Sequence, residues 1–263
     1  MSHVLTEFLN THVGRSWELQ PVRSGEVNEC WKVRTPTANY FLKHQGNAAH
    51  NSINRVEEAR LQRALCVSHL SPVLVAHTLD YAWILMHWVE APTLATVSME
   101  LQIPIFAQTL ARIHQQAPDL PRWSMRDRVN NYLTAVQQYQ PEASLSLSER
   151  LAPYRYLLEA WDIGRRTFCH NDLSAHHILL SDPVQIVDWE YAGYGHPWFD
   201  VASTVAINEF TAAQEEELCA HYSAATGEQL NATDLAPWRE LLAVINELWF
   251  CAQRVQRNRE RAS

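Results

Sequence analysis

Three short runs of mixed apolar and polar residues near the start of the chain, at 17–24 (WELQPVRS), 29–34 (ECWKVR) and 38–44 (ANYFLKH), read as strands. In the third, Tyr40 and Leu42 alternate against Phe41 and Lys43, the pattern of a strand with two different faces. Turn chemistry at Ser24-Gly25-Glu26 separates the first two runs. After a polar loop with Gly46 and Asn47 the period lengthens. Ile53, Val56, Leu61, Ala64 and Leu65 predict an amphipathic helix over about 52–66, with Ser52 as its cap. Two more buried strands are expected at 72–76 and 82–86.

Beyond Glu90-Ala91-Pro92 the texture turns helical. Helices are predicted over about 101–116, 124–139, 147–161, 211–224 and 235–257. Between them, 167–190 carries two short strand-like runs, Ile178-Leu179-Leu180 and Gln185-Ile186-Val187, among polar and charged residues. The expectation is an α+β chain. A small β-rich lobe (1–89) would precede a larger, mainly helical lobe (90–263), with a connector near 87–91. Ligands often bind where two such lobes meet.

Composition narrows the function classes. The 263 residues carry a net charge of −8, which argues against a general nucleic-acid binder, because phosphate backbones need a basic face. The charge suits a positively charged small molecule, and it suits simple solubility equally well. No apolar stretch approaches the ~20 residues of a membrane span, and MSHVLTEFLNTHVG lacks the features of a secretory signal. Five cysteines with no CxxC pair fit reduced thiols, so the cytoplasm is the expected location. Of 21 basic residues only two are lysine, Lys32 and Lys43, both in the first 50 residues. A lysine offers a compact point charge of the kind used at phosphates.

The segment richest in chemistry runs Phe168-Cys169-His170-Asn171-Asp172-Leu173-Ser174-Ala175-His176-His177-Ile178-Leu179-Leu180, and then Ile186-Val187-Asp188-Trp189-Glu190. One carboxylate precedes a strand-like run and another follows the next. A tight hairpin would bring Asp172 and Asp188 to the same end. Phosphoryl transfer asks for a carboxylate at the acceptor hydroxyl and hard oxygen ligands for Mg²⁺. Either aspartate alone reads equally well as an ordinary turn residue. His170, Asp172, His176 and His177 could instead ligate the Zn²⁺ or Fe²⁺ of a hydrolase. Ser174 has no G-x-S-x-G context and is not read as a nucleophile.

Taken together, His170-x-Asp172, a ligand-type side chain five residues on, an apolar strand and Asp188-Trp189-Glu190 resemble the catalytic hairpin of the choline kinase, thiamine kinase and aminoglycoside phosphotransferase superfamily. Asp188 to Gly195, followed by Phe199-Asp200-Val201-Ala202, is similar to what choline and thiamine kinases carry there. The resemblance spans about 20–205. It implies a two-lobed, protein-kinase-like fold: a small antiparallel sheet with one helix, then a larger helical lobe carrying the catalytic hairpin. It implies Asp172 as catalytic base, His170 as structural partner of its loop, and Asp188 as the principal Mg²⁺ ligand. Glu190 would be a further ligand, and Asp200 would brace the loop through backbone hydrogen bonds. On the nucleotide side, Ser24, Gly25 and Asn28 look like a shortened phosphate loop. Lys43 would contact the α- and β-phosphates of ATP and pair with Glu58. The backbone from Met86 to Trp88 would meet adenine.

The family's asparagine five residues after the base is His177 here, which as a metal ligand would favour Mn²⁺ over Mg²⁺ or mark a degenerate site. The implied reaction is transfer of the ATP γ-phosphate to the hydroxyl of a small cationic alcohol, with thiamine favoured over choline or ethanolamine by the Asp188–Gly193 run. Aminoglycoside or macrolide phosphorylation, or a nucleotide-binding module without catalysis, are the alternatives. Trp189, Trp198, Trp238 and Trp249 could offer aromatic faces to a cation, with Glu209, Glu240 and Glu247 adding negative charge. Neither a nucleic-acid nor a membrane partner is expected, and the sequence does not fix an oligomeric state.

Overall fold

The computed structural model describes residues 3–22, 28–45, 54–120, 124–164 and 166–262. The chain forms two compact units, residues 1–93 with 178–190, and 94–177 with 191–263.

The first unit is built on a five-stranded antiparallel sheet. Its strands are β1 (Glu18–Val22), β2 (Glu29–Arg34), β3 (Asn39–His44), β4 (Leu74–His77) and β5 (Trp83–His87), in the order β1-β2-β3-β5-β4. The alternation read in β3 is realised. Leu42 lies opposite Leu85 and, with Val33 and Ala76, packs under the first helix, α1 (His3–Val13), through Leu5, Phe8 and Leu9. Burying these side chains supplies the apolar area that holds helix to sheet. On the other face Lys43 points toward α2 (Arg55–Val67) and reaches its Glu58. The helix starts later than periodicity predicts, because Asn54 caps it by accepting from the Val56 and Glu57 N–H groups at 3.1 and 3.3 Å. Ser52, the expected cap, lies outside the described residues, as do Gly46 and Asn47. Helix α1 is absent from the sequence-based expectations. It is short, and its apolar residues acquire meaning only against the sheet.

Two very short strands also belong to this unit. They are β7 (Ile178–Leu179) and β8 (Gln185–Ile186), paired with Ile178 opposite Ile186. Backbone bonds from Ile186 N–H to the Leu70 carbonyl (2.7 Å) and from Leu180 N–H to the Pro92 carbonyl (2.9 Å) fasten the hairpin.

The second unit is helical: α3 (Met99–His114), α4 (Met125–Gln137), α5 (Pro141–Leu151), α6 (Arg155–Ile163), α7 (Pro197–Ile207), α8 (Ala212–Thr226) and α9 (Ala232–Ala262), with β6 (Thr167–Cys169) paired to β9 (Gly193–Gly195). The single helix predicted at 147–161 is two helices separated by a 3₁₀ turn at Ala152–Tyr154. Pro153 sits in that turn, where it has no N–H for a helical bond and its ring crowds the preceding turn. Helix α7, β6 and β9 fall in segments without a predicted element. At Gly195 a Cβ would lie 2.4 Å from the buried Trp161 ring, so this strand position admits only glycine. Among the described residues no helix is long and apolar enough to cross a membrane.

Leu9 is completely buried between α1 and the sheet. Leu9→Ala is expected to destabilise the protein by about 2–5 kcal/mol, seen as a lower urea midpoint for the first unit. An unchanged midpoint would show that α1 is not part of the core.

Candidate functional site

In the first unit the site is a buried knot of charge. The Lys43 ammonium lies 2.8 Å from Asp188 Oδ1, 3.6 Å from Glu58 Oε1 and 3.5 Å from Glu190 Oε2. Arg55 bridges the same acids, 2.8 Å from Glu58 and 3.1 Å from Glu190. Asn28 donates a side-chain N–H to Glu190 at 3.3 Å. Burial acts against the charged lysine, but attraction to Asp188, Glu58 and Glu190 outweighs it and holds the ammonium well above its usual range. Lys43 therefore carries its charge at every physiological pH.

The knot exists because three elements each contribute one side. Strand β3 places Lys43 on the face away from α1, the first turn of α2 supplies Arg55 and Glu58, and the chain beyond β8 supplies Asp188 and Glu190. Asp188 adopts φ +66°, a left-handed conformation that aspartate tolerates better than most residues. Its side chain is 31% exposed, against 3% for Glu58 and 6% for Glu190. All three carboxylates offer an oxygen within 4.8 Å of the others. Hard oxygen donors of this kind fit Mg²⁺ or Mn²⁺, with Asp188 the most open and Glu190 drawn toward Arg55 and Asn28.

The other nucleotide-side candidates are placed as follows. Met86 is buried in β5, where its sulfur receives the Gln62 amide at 3.2 Å. The Trp88 backbone N–H donates to the Asn39 carbonyl at 3.1 Å, and Lys32 stands 4.2 Å over the Trp88 ring while pairing with Glu90 at 3.0 Å. Ser24 and Gly25 lie outside the described residues.

In the second unit, Asp172 sits on a loop whose backbone is held to α7 on either side of it. The buried Asp200 carboxylate accepts the His170 N–H at 2.8 Å and the Asn171 N–H at 2.7 Å. Ser203 donates its hydroxyl to the Asn171 carbonyl at 3.0 Å. Asn208, the α7 C-cap, donates to the Leu173 carbonyl and accepts from the Ala175 N–H. Asn171, at φ +65°, also donates its side-chain amide to the Tyr191 carbonyl. The buried His170 ring accepts the Asp172 N–H through Nδ1 at 3.3 Å. His177 Nδ1 lies 2.8 Å from the Asp172 carbonyl and 3.5 Å from the Ser174 backbone nitrogen; the shorter contact calls for a hydrogen on Nδ1, because a carbonyl can only accept. Its ring stacks on that of His170. His177 thus ties the loop through one nitrogen.

Asp200, Ser203 and Asn208 are polar residues in or capping a mainly apolar helical run, and of these the sequence points only to Asp200. A buried polar side chain on an apolar helix is the signal that would have found Ser203. Of the aromatic candidates, Trp189 and Trp238 are core residues. Trp189 donates its indole N–H to the Ile186 carbonyl, and Trp238 stacks on His196. Glu240 and Glu247 are engaged by Tyr154 and Arg150. His114, Cys169 and Asp200 also gather ligand-type atoms within 4.8 Å, yet the carboxylate already accepts three N–H groups and burial drives the thiol pKa far up, so this trio does not suit a metal.

Burial opposes the Asp200 charge, but hydrogen bonding and attraction from His114, attraction from His170 and the bond from its N–H hold the carboxyl below its ordinary value. A depressed folded pKa contributes stability above the unfolded value of about 3.9 that is lost as pH falls through the folded one. Asp200→Asn is therefore expected to melt earlier than the wild type at about pH 7 and to lose less stability on acidification to about pH 3. Parallel acid limbs for the two proteins would contradict this.

Among curated proteins, ethanolamine kinase 2 of Rattus norvegicus is 29% identical over 127 residues, 44% of this chain, and the match spans about a third (32%) of that relative's length. Among solved structures, choline kinase LicA from Streptococcus pneumoniae superposes with a TM-score of 0.76 at 22% identity, covering 96% of this chain and 90% of its own, and has also been solved with AMP. The spectinomycin phosphotransferase APH(9)-Ia, in complex with ADP and spectinomycin, superposes with a TM-score of 0.60 at 16% identity, covering 94% and 86%. At such identities the structural matches establish the protein-kinase-like fold. Residues 18–241 match the phosphotransferase enzyme family (APH), and the chain belongs to that family.

Proposed function

We propose that this protein transfers the γ-phosphoryl group of ATP to the hydroxyl of a small cationic alcohol, with ethanolamine and choline the first candidates and thiamine the next. The observation that carries the reading is the Lys43–Asp188–Glu58–Glu190 knot, a buried ammonium held among carboxylates of which one stays open. Likeness to ethanolamine and choline kinases supports the acceptor class, and the nucleotides bound by LicA and APH(9)-Ia support ATP as donor.

In this reading Lys43 meets the nucleotide phosphates, and Glu58 fixes its position. Asp188 would hold Mg²⁺, with Glu190 beside it. The metal, when bound, neutralises charge on the phosphates. Asp172 accepts the proton of the acceptor hydroxyl, and His170 and Asp200 fix the backbone that presents it. The acceptor's positive charge suits an acidic chain, although Trp189 and Trp238, being core residues, are not the aromatic faces that would receive it.

The test is a phosphate-transfer assay with ATP and Mg²⁺ or Mn²⁺ over ethanolamine, choline, thiamine, aminoglycosides and a macrolide. Turnover of at least one amino alcohol is expected. Turnover of an antibiotic alone would move the acceptor class, and no turnover under either metal would overturn the reading. Nucleotide-dependent thermal stabilisation without turnover would indicate a binding module. Asp172→Ala is expected to lower kcat by about 10²- to 10⁴-fold with the KM for ATP little changed. Lys43→Met should instead raise the KM for ATP, and EDTA should abolish turnover until Mg²⁺ is restored.

A further inference from the structure

His114 closes α3 and lies far in sequence from the Asp172 loop, yet it is joined to the loop's anchor. Its Nε2 stands 3.0 Å from Asp200 Oδ2, the oxygen that also accepts the His170 N–H, and its Nδ1 stands 2.7 Å from the Tyr222 hydroxyl on α8. A carboxylate oxygen can only accept, so Nε2 carries a hydrogen. With neutral imidazole, Tyr222 donates to Nδ1 and holds the ring in that tautomer. The ring is almost wholly buried and Asp200 completely so. A charge in such surroundings is stable only with its donors in place.

We propose that His114 is a positioning residue for phosphoryl transfer. It would act through Asp200 on the His170–Asn171 backbone and so on the aim of Asp172. Asp200 divides its two oxygens among three N–H groups, two from the loop and one from His114. Without the imidazole, Oδ2 keeps the His170 N–H and loses its side-chain donor. The carboxylate then turns toward another donor or takes up a proton, and either change slackens its hold on the two amides. Asp172 follows directly, since its own N–H is tied to His170 Nδ1. A small displacement of a catalytic group is costly to rate and nearly silent in nucleotide affinity. Tyr222 is the outer member of the chain and sets the imidazole's orientation.

The kinetic readout rests on the phosphotransferase reading, whereas amide exchange does not. His114→Phe retains an aromatic ring without a donor, and His114→Gln returns an N–H near the position of Nε2. With His114→Phe, kcat should fall about 10- to 100-fold while the KM for ATP stays within about twofold, and exchange at the His170 and Asn171 amides should quicken at least about tenfold. His114→Gln should recover most of the rate and the protection. Tyr222→Phe, which removes one oxygen and leaves the packing, should show the same changes at about threefold, and it decides with His114→Gln if the first variant does not fold. Equal losses in His114→Phe and His114→Gln would overturn the proposal, because bulk and not the donated hydrogen would then matter. Unchanged exchange at the two amides in His114→Phe, or in Tyr222→Phe where it stands in, would overturn it as well. A wild-type protein that phosphorylates nothing would sink the parent reading and leave the exchange measurement to decide this one.

Discussion

A buried carboxylate has to be surrounded by donors, and much of the second unit is arranged to supply them to Asp200. Its oxygens take N–H groups from His170, Asn171 and His114, which arrive from a loop after β6 and from the end of α3. No element could provide this set alone. The strand must stop at Cys169, α7 must begin near Pro197 so that Asp200 lies in its first turn, and α3 must run as far as His114. An anion in the first turn also suits the helix dipole. The requirement to satisfy one charge in a dry interior thus fixes the path of the loop that displays Asp172.

The first unit solves the opposite problem, a buried cation. Lys43 sits in a strand whose other face is the α1 core, so its ammonium has nowhere to go but among the acids of α2 and of the chain beyond β8. With Arg55 also present, three carboxylates face two bases, and Asp188 is the most exposed of the three. Ion pairs in dry surroundings add little net stability compared with apolar packing. Under the proposed function they serve chemistry more than folding, because a fixed ammonium beside an open carboxylate suits a metal–nucleotide complex.

At the position where the resemblance expects an asparagine, His177 serves the loop itself. His177 turns one ring nitrogen to the Asp172 carbonyl and stacks its ring on His170, so it closes the loop as a tether. An imidazole with a hydrogen on Nδ1 cannot coordinate through that atom. The carboxylate oxygens in the first unit offer a harder donor set.

Much of the architecture was written in local pattern. The short strand-like runs give β1 to β5, the longer periods give α2, α3, α4, α8 and α9, and the spacing from His170 to Glu190 marks the candidate site, since these signals depend on neighbours a few residues apart. Helix α1, the β6–β9 pair and α7 were not legible, because each is short and gains its stability from partners distant in the chain. The break at Pro153 was written in the sequence but overridden by an apolar rhythm that runs through it. What only the tertiary structure decided is who stands beside whom. Arg55 joins Glu58 and Glu190, Ser203 and Asn208 hold the loop carbonyls, and His114 reaches Asp200. Hydrogen bonds and ion pairs act over a few ångströms in space, and a linear sequence carries no measure of that distance until the chain has folded.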